Sequence, residues 1–187
     1  MNYPGKELEL FDKANFWRKY IYFKTNKFIR GNILEIGAGL GSFTSTYLKN
    51  AYSITVSELD PFNLEFLKKR FAKTNIKIID KYVTEINDNF DSIMYMNVLE
   101  HIEKDKEEIN NSLKILNKNG MLIILVPAHQ KLFSKFDKEI GHFRRYDLNF
   151  FENLHLQDAK IEKLYYLDSA GYFLYYAQYI FTKLVIS

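Results

Sequence analysis

With 187 residues, 47% of them apolar and 26% charged, the chain is long enough for one domain with a real core, and its composition is that of a soluble globular protein. The net charge of +3 is spread over scattered lysines with no basic stripe, which argues against a nucleic-acid partner. The absence of cysteine excludes disulfides, a thiolate zinc site and a cysteine nucleophile, and the start, with Lys6, Glu7, Glu9 and Asp12, does not read as a signal peptide; a cytoplasmic protein is the expectation.

Residues 1–31 carry Leu8, Leu10, Phe11, Phe16, Trp17, Tyr20, Ile21 and Phe28 at mixed helical spacing, which predicts one or two helices before the first strand. Trp17, the only tryptophan, reads as a packing anchor. Ile33 to Ile36 predicts a short buried strand with one acid, Glu35, inside it. The strand breaks into Gly37-Ala38-Gly39-Leu40-Gly41, with glycines at alternate positions, and a helix is expected from Ser42 to Asn50. Glycines at a strand-to-helix turn allow positive φ and let a ligand approach bare backbone.

Tyr52 to Glu58 predicts a second strand ending on an acid, and Leu59-Asp60-Pro61 opens a helix that runs to about Lys73. A third strand, Ile76 to Ile79, closes on Asp80. A fourth, Phe90 to Met96, leads through Asn97 into Val98-Leu99-Glu100-His101-Ile102 and a charged helix to about Asn117. Asn119-Gly120 predicts a turn, and Met121 to Val126 a fifth, strongly apolar strand. Strands alternating with helices predict an α/β domain: a doubly wound, mostly parallel sheet with helices on both faces.

Beyond Pro127 the pattern changes. Ala128 to Tyr146 is polar, aromatic and basic without a clear period, and is followed by an expected helix, Asp147 to Leu156, and a sixth strand, Lys160 to Leu167. A long irregular insertion after a buried strand is more often functional than idle. Gly171 to Ser187 is densely aromatic, with Lys183 its one lysine. It reads as a buried element or homo-oligomer contact, or as an interfacial helix making a peripheral membrane contact.

In an open parallel sheet, ligands sit outside the carboxyl ends of the strands, near the switch point in strand order. The candidate polar residues fall at such ends: Glu35 to Gly41, Glu58, Asp80, Asn97 and the region after Pro127. Glu58 lies about twenty residues past the glycines, the distance at which an acid takes ribose hydroxyls in nucleotide folds. A dinucleotide fingerprint needs a third glycine where Ser42 stands, and Glu35 would repel a pyrophosphate. A carboxylate there suits a cationic ligand carrying an ammonium group. S-adenosylmethionine has that group, a sulfonium and a ribose with both hydroxyls free, so the charge argument favours it over a nicotinamide cofactor.

The same residues carry a family resemblance. Glu35-Ile36-Gly37-Ala38-Gly39-Leu40-Gly41 resembles the first motif of class I S-adenosylmethionine-dependent methyltransferases, whose fold is Rossmann-like. The likeness extends through Glu58, Asp80 and Phe90-Asp91 to Asn97-Val98-Leu99-Glu100-His101-Ile102, which resembles small-molecule methyltransferases of the ubiquinone-biosynthesis type. Val126-Pro127-Ala128, Leu132, Ser134, Asp137 and Gly141-His142-Phe143-Arg144-Arg145-Tyr146 resemble a narrower bacterial subgroup assigned to glycans, lipids or secondary metabolites. The resemblance implies that Gly37, Ala38, Gly39 and Gly41 pass close to the methionine part of the donor, with Glu35 near its amino group. It implies that Glu58 takes the ribose and that Leu59 packs on the adenine. Asp80, or Thr84 in its place, reaches the adenine edge. Asn97 and Val98 line the donor through backbone, and His101 closes that side or caps its helix turn.

Methyl transfer from a sulfonium is an in-line displacement, so much of the catalysis comes from holding the acceptor in a dry site. An oxygen acceptor benefits from a base near neutral pKa, which makes His129 and His142 the candidate catalytic residues. Arg144 and Arg145, with Tyr146 beside them, are the candidate acceptor-binding residues; a guanidinium clamp on a phosphate or carboxylate competes with internal pairing to Asp137, Glu139 or Asp147. No cluster has a metal-ligand spacing, so a metal-independent enzyme is expected. The expectation is one domain over 1–187: a helical cover (1–31), a donor-binding core (32–126), an acceptor-side loop and helix (127–159), and a last strand with the aromatic tail (160–187). The expected activity is methyl transfer to a small-molecule or lipid- or glycan-linked acceptor, at oxygen. The alternatives are a nicotinamide-dependent oxidoreductase and a non-catalytic S-adenosylmethionine-binding partner subunit.

Overall fold

The computed structural model describes residues 12–48, 51–156 and 158–167. β1 (Asn32–Ile36), β2 (Ser53–Ser57), β3 (Lys77–Ile79), β4 (Phe90–Met96) and β5 (Leu116–Leu125) form one sheet in the order β3-β2-β1-β4-β5. Every pairing is parallel, with β1 central: Leu34 stands opposite Thr55 on one side and Ile93 on the other. The order runs outward from β1 in one direction and from β4 in the other, which opens a crevice at their carboxyl ends.

Side chains alternate across each strand, so the sheet carries a core on each face. One face gathers Ile33, Val56, Met94 and Met96 under Ile21 of α1 (Asn15–Thr25), Phe43 and Tyr47 around α2 (Thr44–Tyr47), and Leu67 and Phe71 around α3 (Pro61–Arg70). The other gathers Leu34, Ile36, Ile93 and Tyr95 with Val83, Ile86 and Phe90. On that face α4 (Asp105–Lys114) is pinned by the Tyr95 hydroxyl, 2.7 Å from Glu108 Oε1 and 2.7 Å from Ser112 Oγ. A fully buried Ile, Leu or Val contributes about 1.5–3 kcal/mol over leaving it in water, so these two faces hold the sheet together. α3 starts where local chemistry directs it: Pro61 sits in its first turn and the Asp60 carboxylate accepts from the Asn63 N–H at 3.0 Å.

Several expected elements are redrawn. α2 covers Thr44–Tyr47 in place of Ser42 to Asn50, of which residues 49–50 lie outside the described residues. α3 is trimmed to Pro61–Arg70, and α4 stops at Lys114 because the chain enters β5 at Leu116 rather than Met121. Phe90 pairs with Leu116 and Ser92 with Met121, so the extra residues of β5 bulge outward, with Asn119 at φ 64°. The Asn119-Gly120 signal is thus spent on a bulge within the strand. No strand forms over Lys160–Leu167: the chain is irregular there, with Ile161, Tyr165 and Tyr166 exposed. The segment joins neither edge strand of the sheet, β3 or β5.

The segment after β5 folds into two short helices, α5 (Lys135–Glu139) and α6 (Leu148–Glu152), the latter shorter than the expected Asp147 to Leu156. α5 is set by a capping box in which the Ser134 N–H donates to Asp137 Oδ2 at 2.8 Å and the Asp137 N–H donates to Ser134 Oγ at 3.4 Å. Residues 1–11 and the aromatic stretch Gly171–Ser187, with the contacts expected of it, lie outside the described residues. Among the described residues no helix is long and apolar enough to cross a membrane.

Candidate functional site

β1 ends at Ile36 and the chain turns through Gly37 (φ 64°), Gly39 (φ 55°) and Gly41 (φ 70°). The Gly37 and Ala38 N–H groups both donate to Ser57 O, at 2.8 and 3.2 Å, which seats the turn on the end of β2. At Gly37 the conformation and the space agree, because a Cβ there would stand 2.7 Å from Val98 Cγ2 at the exit of β4. Any side chain at this position strains the backbone and pushes the two strand ends apart.

Glu58 stands against this turn. Its Oε2 accepts from the Gly39 N–H at 2.7 Å, and its Oε1 accepts from the Leu59 and Asp60 N–H groups, each at 2.9 Å. A carboxylate offers about four acceptor positions, so three N–H donors leave room for a hydroxyl. Leu59, next in the chain, is 45% exposed at the mouth of the crevice. Asp80 and Thr84 are both exposed beyond the end of β3. Asn97 leaves β4 at φ 59°, its N–H donating to Leu125 O at 2.8 Å, and Val98 is half-buried against Gly37.

Glu35 is placed differently from its neighbours. Its carboxylate is buried among the α2 side, accepting at Oε2 from the Thr44 hydroxyl at 2.7 Å and from the Tyr47 hydroxyl. Burial pushes this carboxyl up to about 7; hydrogen bonds from Tyr47 and Thr44 work against the rise, and the charge of Glu58 adds to it. The folded protein therefore holds a proton that the unfolded chain, at the ordinary value of 4.5, has released. The stability this gives is fully present below about pH 4.5 and is lost as pH rises through about 7. In denaturant unfolding from pH 5 to 7, the wild type is expected to lose roughly 1.4 kcal/mol per pH unit more than Glu35→Gln. Parallel curves for the two proteins would refute the assignment.

The glycine turn is also covered from outside, by a network that sequence reading missed. The Ser42 hydroxyl donates to Asp12 Oδ1 at 2.6 Å, and Arg70 Nη1 donates both to Asp12 Oδ1 and to Leu40 O at 2.8 Å. Burial works to raise the Asp12 carboxyl, but the bonds from Ser42 and Arg70 overcome it and hold the group below the usual range. Arg70 and Asp12 are 58 positions apart, so no local pattern signals the pair.

The segment after Pro127 folds back onto the exit of β4. The Phe143 N–H donates to Glu100 O and the His142 N–H to Asp137 O, both at 2.8 Å. These bonds set the His142 ring edge-on to His101, with centroids 4.6 Å apart. His142 Nδ1 is 3.0 Å from Asp137 Oδ1 and its Nε2 is 3.9 Å from Glu100 Oε1. Glu100 is fully buried, with Asn97 Nδ2 donating to its Oε1 at 3.3 Å, and burial pushes its carboxyl up to about 8.

The other acceptor-side candidates are committed inside the chain. Arg145 grips Asp137 with two nitrogens, Nε to Oδ1 at 2.8 Å and Nη2 to Oδ2 at 3.1 Å. Arg144 pairs with Asp105 and donates to Glu103 O at 3.0 Å, tying the segment to the start of α4. Tyr146 is buried, its hydroxyl donating to Leu99 O at 3.1 Å and lying 3.0 Å from Asp105 Oδ2. An acceptor clamp built from Arg144 and Arg145 would have to break these pairs, so the geometry gives both arginines to the loop. His129, at φ 66°, lies apart from His142: it stacks on Tyr166 with centroids 4.3 Å apart, and its Nδ1 is 3.7 Å from Asp147.

A glycine turn on an acid at the switch point of a β3-β2-β1-β4-β5 sheet coincides with a family match: residues 34–122 fit the family model described as a methyltransferase domain. Over that stretch, just under half of the chain, the protein is similar to a methyltransferase domain. Solved structures agree with it in fold. The YcgJ protein of Bacillus subtilis superposes with a TM-score of 0.65 at 12% identity, covering 73% of this chain and 65% of that one. An S-adenosylmethionine-dependent methyltransferase of Clostridium acetobutylicum gives 0.57 at 18% identity, covering 68% and 59%. The N-methyltransferase NodS of Bradyrhizobium japonicum, solved with S-adenosyl-L-homocysteine, gives 0.52 at 21% identity, covering 60% and 61%. The chain thus spans less than two thirds of the length of these structures. No curated protein sequence matches it closely enough to count as a relative. In this chain Glu58, the glycine turn and the β4 exit stand together at the carboxyl ends of the strands, while the segment after Pro127 folds back onto Glu100 and His101.

Proposed function

We propose that this protein is an S-adenosylmethionine-dependent methyltransferase acting on a small-molecule acceptor, or one linked to a lipid or glycan, at oxygen. The observation that carries the reading is the Glu58 carboxylate seated on the Gly39 N–H at the switch point, where spare acceptor capacity meets a turn of bare backbone. NodS, whose structure holds the demethylated product, supports the same ligand class for this crevice.

The residues present fit such a donor. Glu58 accepts a ribose hydroxyl at its remaining acceptor position, and the exposed apolar side chain of Leu59 offers a surface for the adenine. The turn from Gly37 to Gly39 lets the amino-acid end lie against backbone, with Asn97 and Val98 on the opposite wall. Glu35, behind the turn, supplies negative charge once it is ionised, a form that a bound ammonium or sulfonium favours and a pyrophosphate opposes. When bound, the donor supplies a methyl group on a positively charged sulfur that is already a good leaving group. What the chain adds is alignment and exclusion of water. On the acceptor side His142 is the better candidate of the two histidines, because Asp137 orients its ring next to the β4 exit whereas His129 is stacked away on Tyr166.

Calorimetry tests the ligand: S-adenosylmethionine is expected to bind at one site per chain and an oxidised nicotinamide dinucleotide not to bind. Binding of the dinucleotide alone would overturn the proposal in favour of an oxidoreductase. Label transfer from methyl-labelled donor into a metabolite pool is expected; its absence alongside tight donor binding would indicate a non-catalytic donor-binding partner.

A further inference from the structure

We propose that Glu100, His101 and His142 form a divalent-cation site on the acceptor side of the crevice. Each offers one ligand atom, and the three atoms lie within 4.8 Å of one another. Tetrahedral ligands bonded to one ion at about 2.0–2.2 Å stand about 3.3–3.6 Å apart, so closure asks for side-chain shifts of no more than about 1.5 Å. The residues reach this cluster because the Phe143-to-Glu100 and His142-to-Asp137 backbone bonds clamp the two segments together.

Independent features of the cluster point to a ligand. Glu100 Oε2 is buried and has no hydrogen-bond partner, a costly state for a carboxylate that a bound cation would relieve. Asp137 Oδ1 stands 3.0 Å from His142 Nδ1, the outer carboxylate of a carboxylate–histidine–metal arrangement, while Nε2 is the nitrogen nearer Glu100. Asp137 is in turn fixed by Arg145 and Ser134, so the ring is held from behind. With Glu100 ionised on a bound cation, Glu100 and Asp137 against Arg145 leave an excess of one negative charge around two neutral imidazoles to meet it.

Two imidazoles and one carboxylate, with no thiolate, suit zinc, manganese, iron(II), cobalt or nickel. Three protein ligands leave a position open, as in catalytic rather than structural sites. Resting on the methyl-transfer reading, the ion's use follows: it lowers the pKa of a bound acceptor hydroxyl, whose proton passes to water. The freed oxygen then takes the methyl carbon while the sulfur keeps the electron pair of the broken carbon–sulfur bond. His142 acts in that state as a ligand.

The test is equilibrium dialysis of the tag-free chain against zinc, with bound metal measured by mass spectrometry. One equivalent is expected, and Glu100→Gln or His142→Ala should each weaken it about 10- to 100-fold, with Asp137→Asn weakening it through the outer shell. His155→Ala, on an exposed histidine outside the cluster, should leave binding unchanged. Circular dichroism checks that each variant folds, and either Glu100→Gln or His142→Ala suffices alone. Absence of stoichiometric zinc, or zinc retained by both variants, would overturn the site. S-adenosylmethionine affinity is measured on the same samples: donor binding without zinc binding removes the metal site only, and loss of donor binding in the wild type removes the methyl-donor reading.

Discussion

Glu58→Ala is expected to weaken S-adenosylmethionine binding by about 10- to 150-fold, because one charge-assisted hydrogen bond to ribose is worth about 1.5–3 kcal/mol. The substitution also strips the Gly39, Leu59 and Asp60 N–H groups of their shared acceptor, so the turn loosens even without ligand. Glu58→Gln separates the two effects. Its amide oxygen still accepts from part of this set, so the fold should be kept while donor affinity falls through loss of the charge and of one acceptor. Calorimetry of both variants, with unfolding curves alongside, checks the expectation. Wild-type affinity in a folded Glu58→Gln protein would remove Glu58 from the donor site.

Asp137→Ala carries the second large effect, on stability. Asp137 is fully buried and serves Arg145, His142 and the Ser134 cap at once. Its removal leaves the Arg145 guanidinium, whose side chain is only 13% exposed, without its carboxylate. Breaking a buried pair from one side costs about 3–5 kcal/mol, which lowers Tm by roughly 10 °C in a chain of this size. The sign of the cycle is the sharper check. Adding Arg145→Ala to Asp137→Ala removes the uncompensated cation and should restore part of the loss. A double variant worse than the sum of the single ones would contradict a mutual pairing.

The part of this molecule that sequence makes legible is the part whose physics is local. Positive φ at Gly37, Gly39 and Gly41 and the cap-and-proline start of α3 are written in neighbouring residues, and the alternation of strands and helices carries the parallel sheet. Glu58 was legible because its distance from the glycines follows from one βαβ unit. The pairing of Arg145 with Asp137 was open as one of several choices, since charge alone does not select among nearby carboxylates. What escaped depends on chain closure. Glu100 and His142 meet only because the segment after β5 folds back on the β4 exit, and Asp12 meets Arg70 only across the glycine turn. The run at Lys160–Leu167 misled for the converse reason: hydrophobic spacing describes a face and says nothing of the backbone pairing that makes a strand.

Glu35 shows how far local reading goes. Its position on β1 fits a charge that favours a cationic donor, yet its hydrogen bonds run to Thr44 and Tyr47, so it also fastens α2 to the sheet. A bound ammonium would favour its ionised form, and donor affinity should then rise with pH toward and just above 7.

The most direct measurement of the central claim is a crystal structure of the chain with S-adenosyl-L-homocysteine. The expected density places a ribose hydroxyl on the Glu58 carboxylate, the adenine on Leu59 and the amino-acid end along Gly37 to Gly39. A product molecule bound away from Glu58, or a glycine turn in contact with no part of it, would contradict the account.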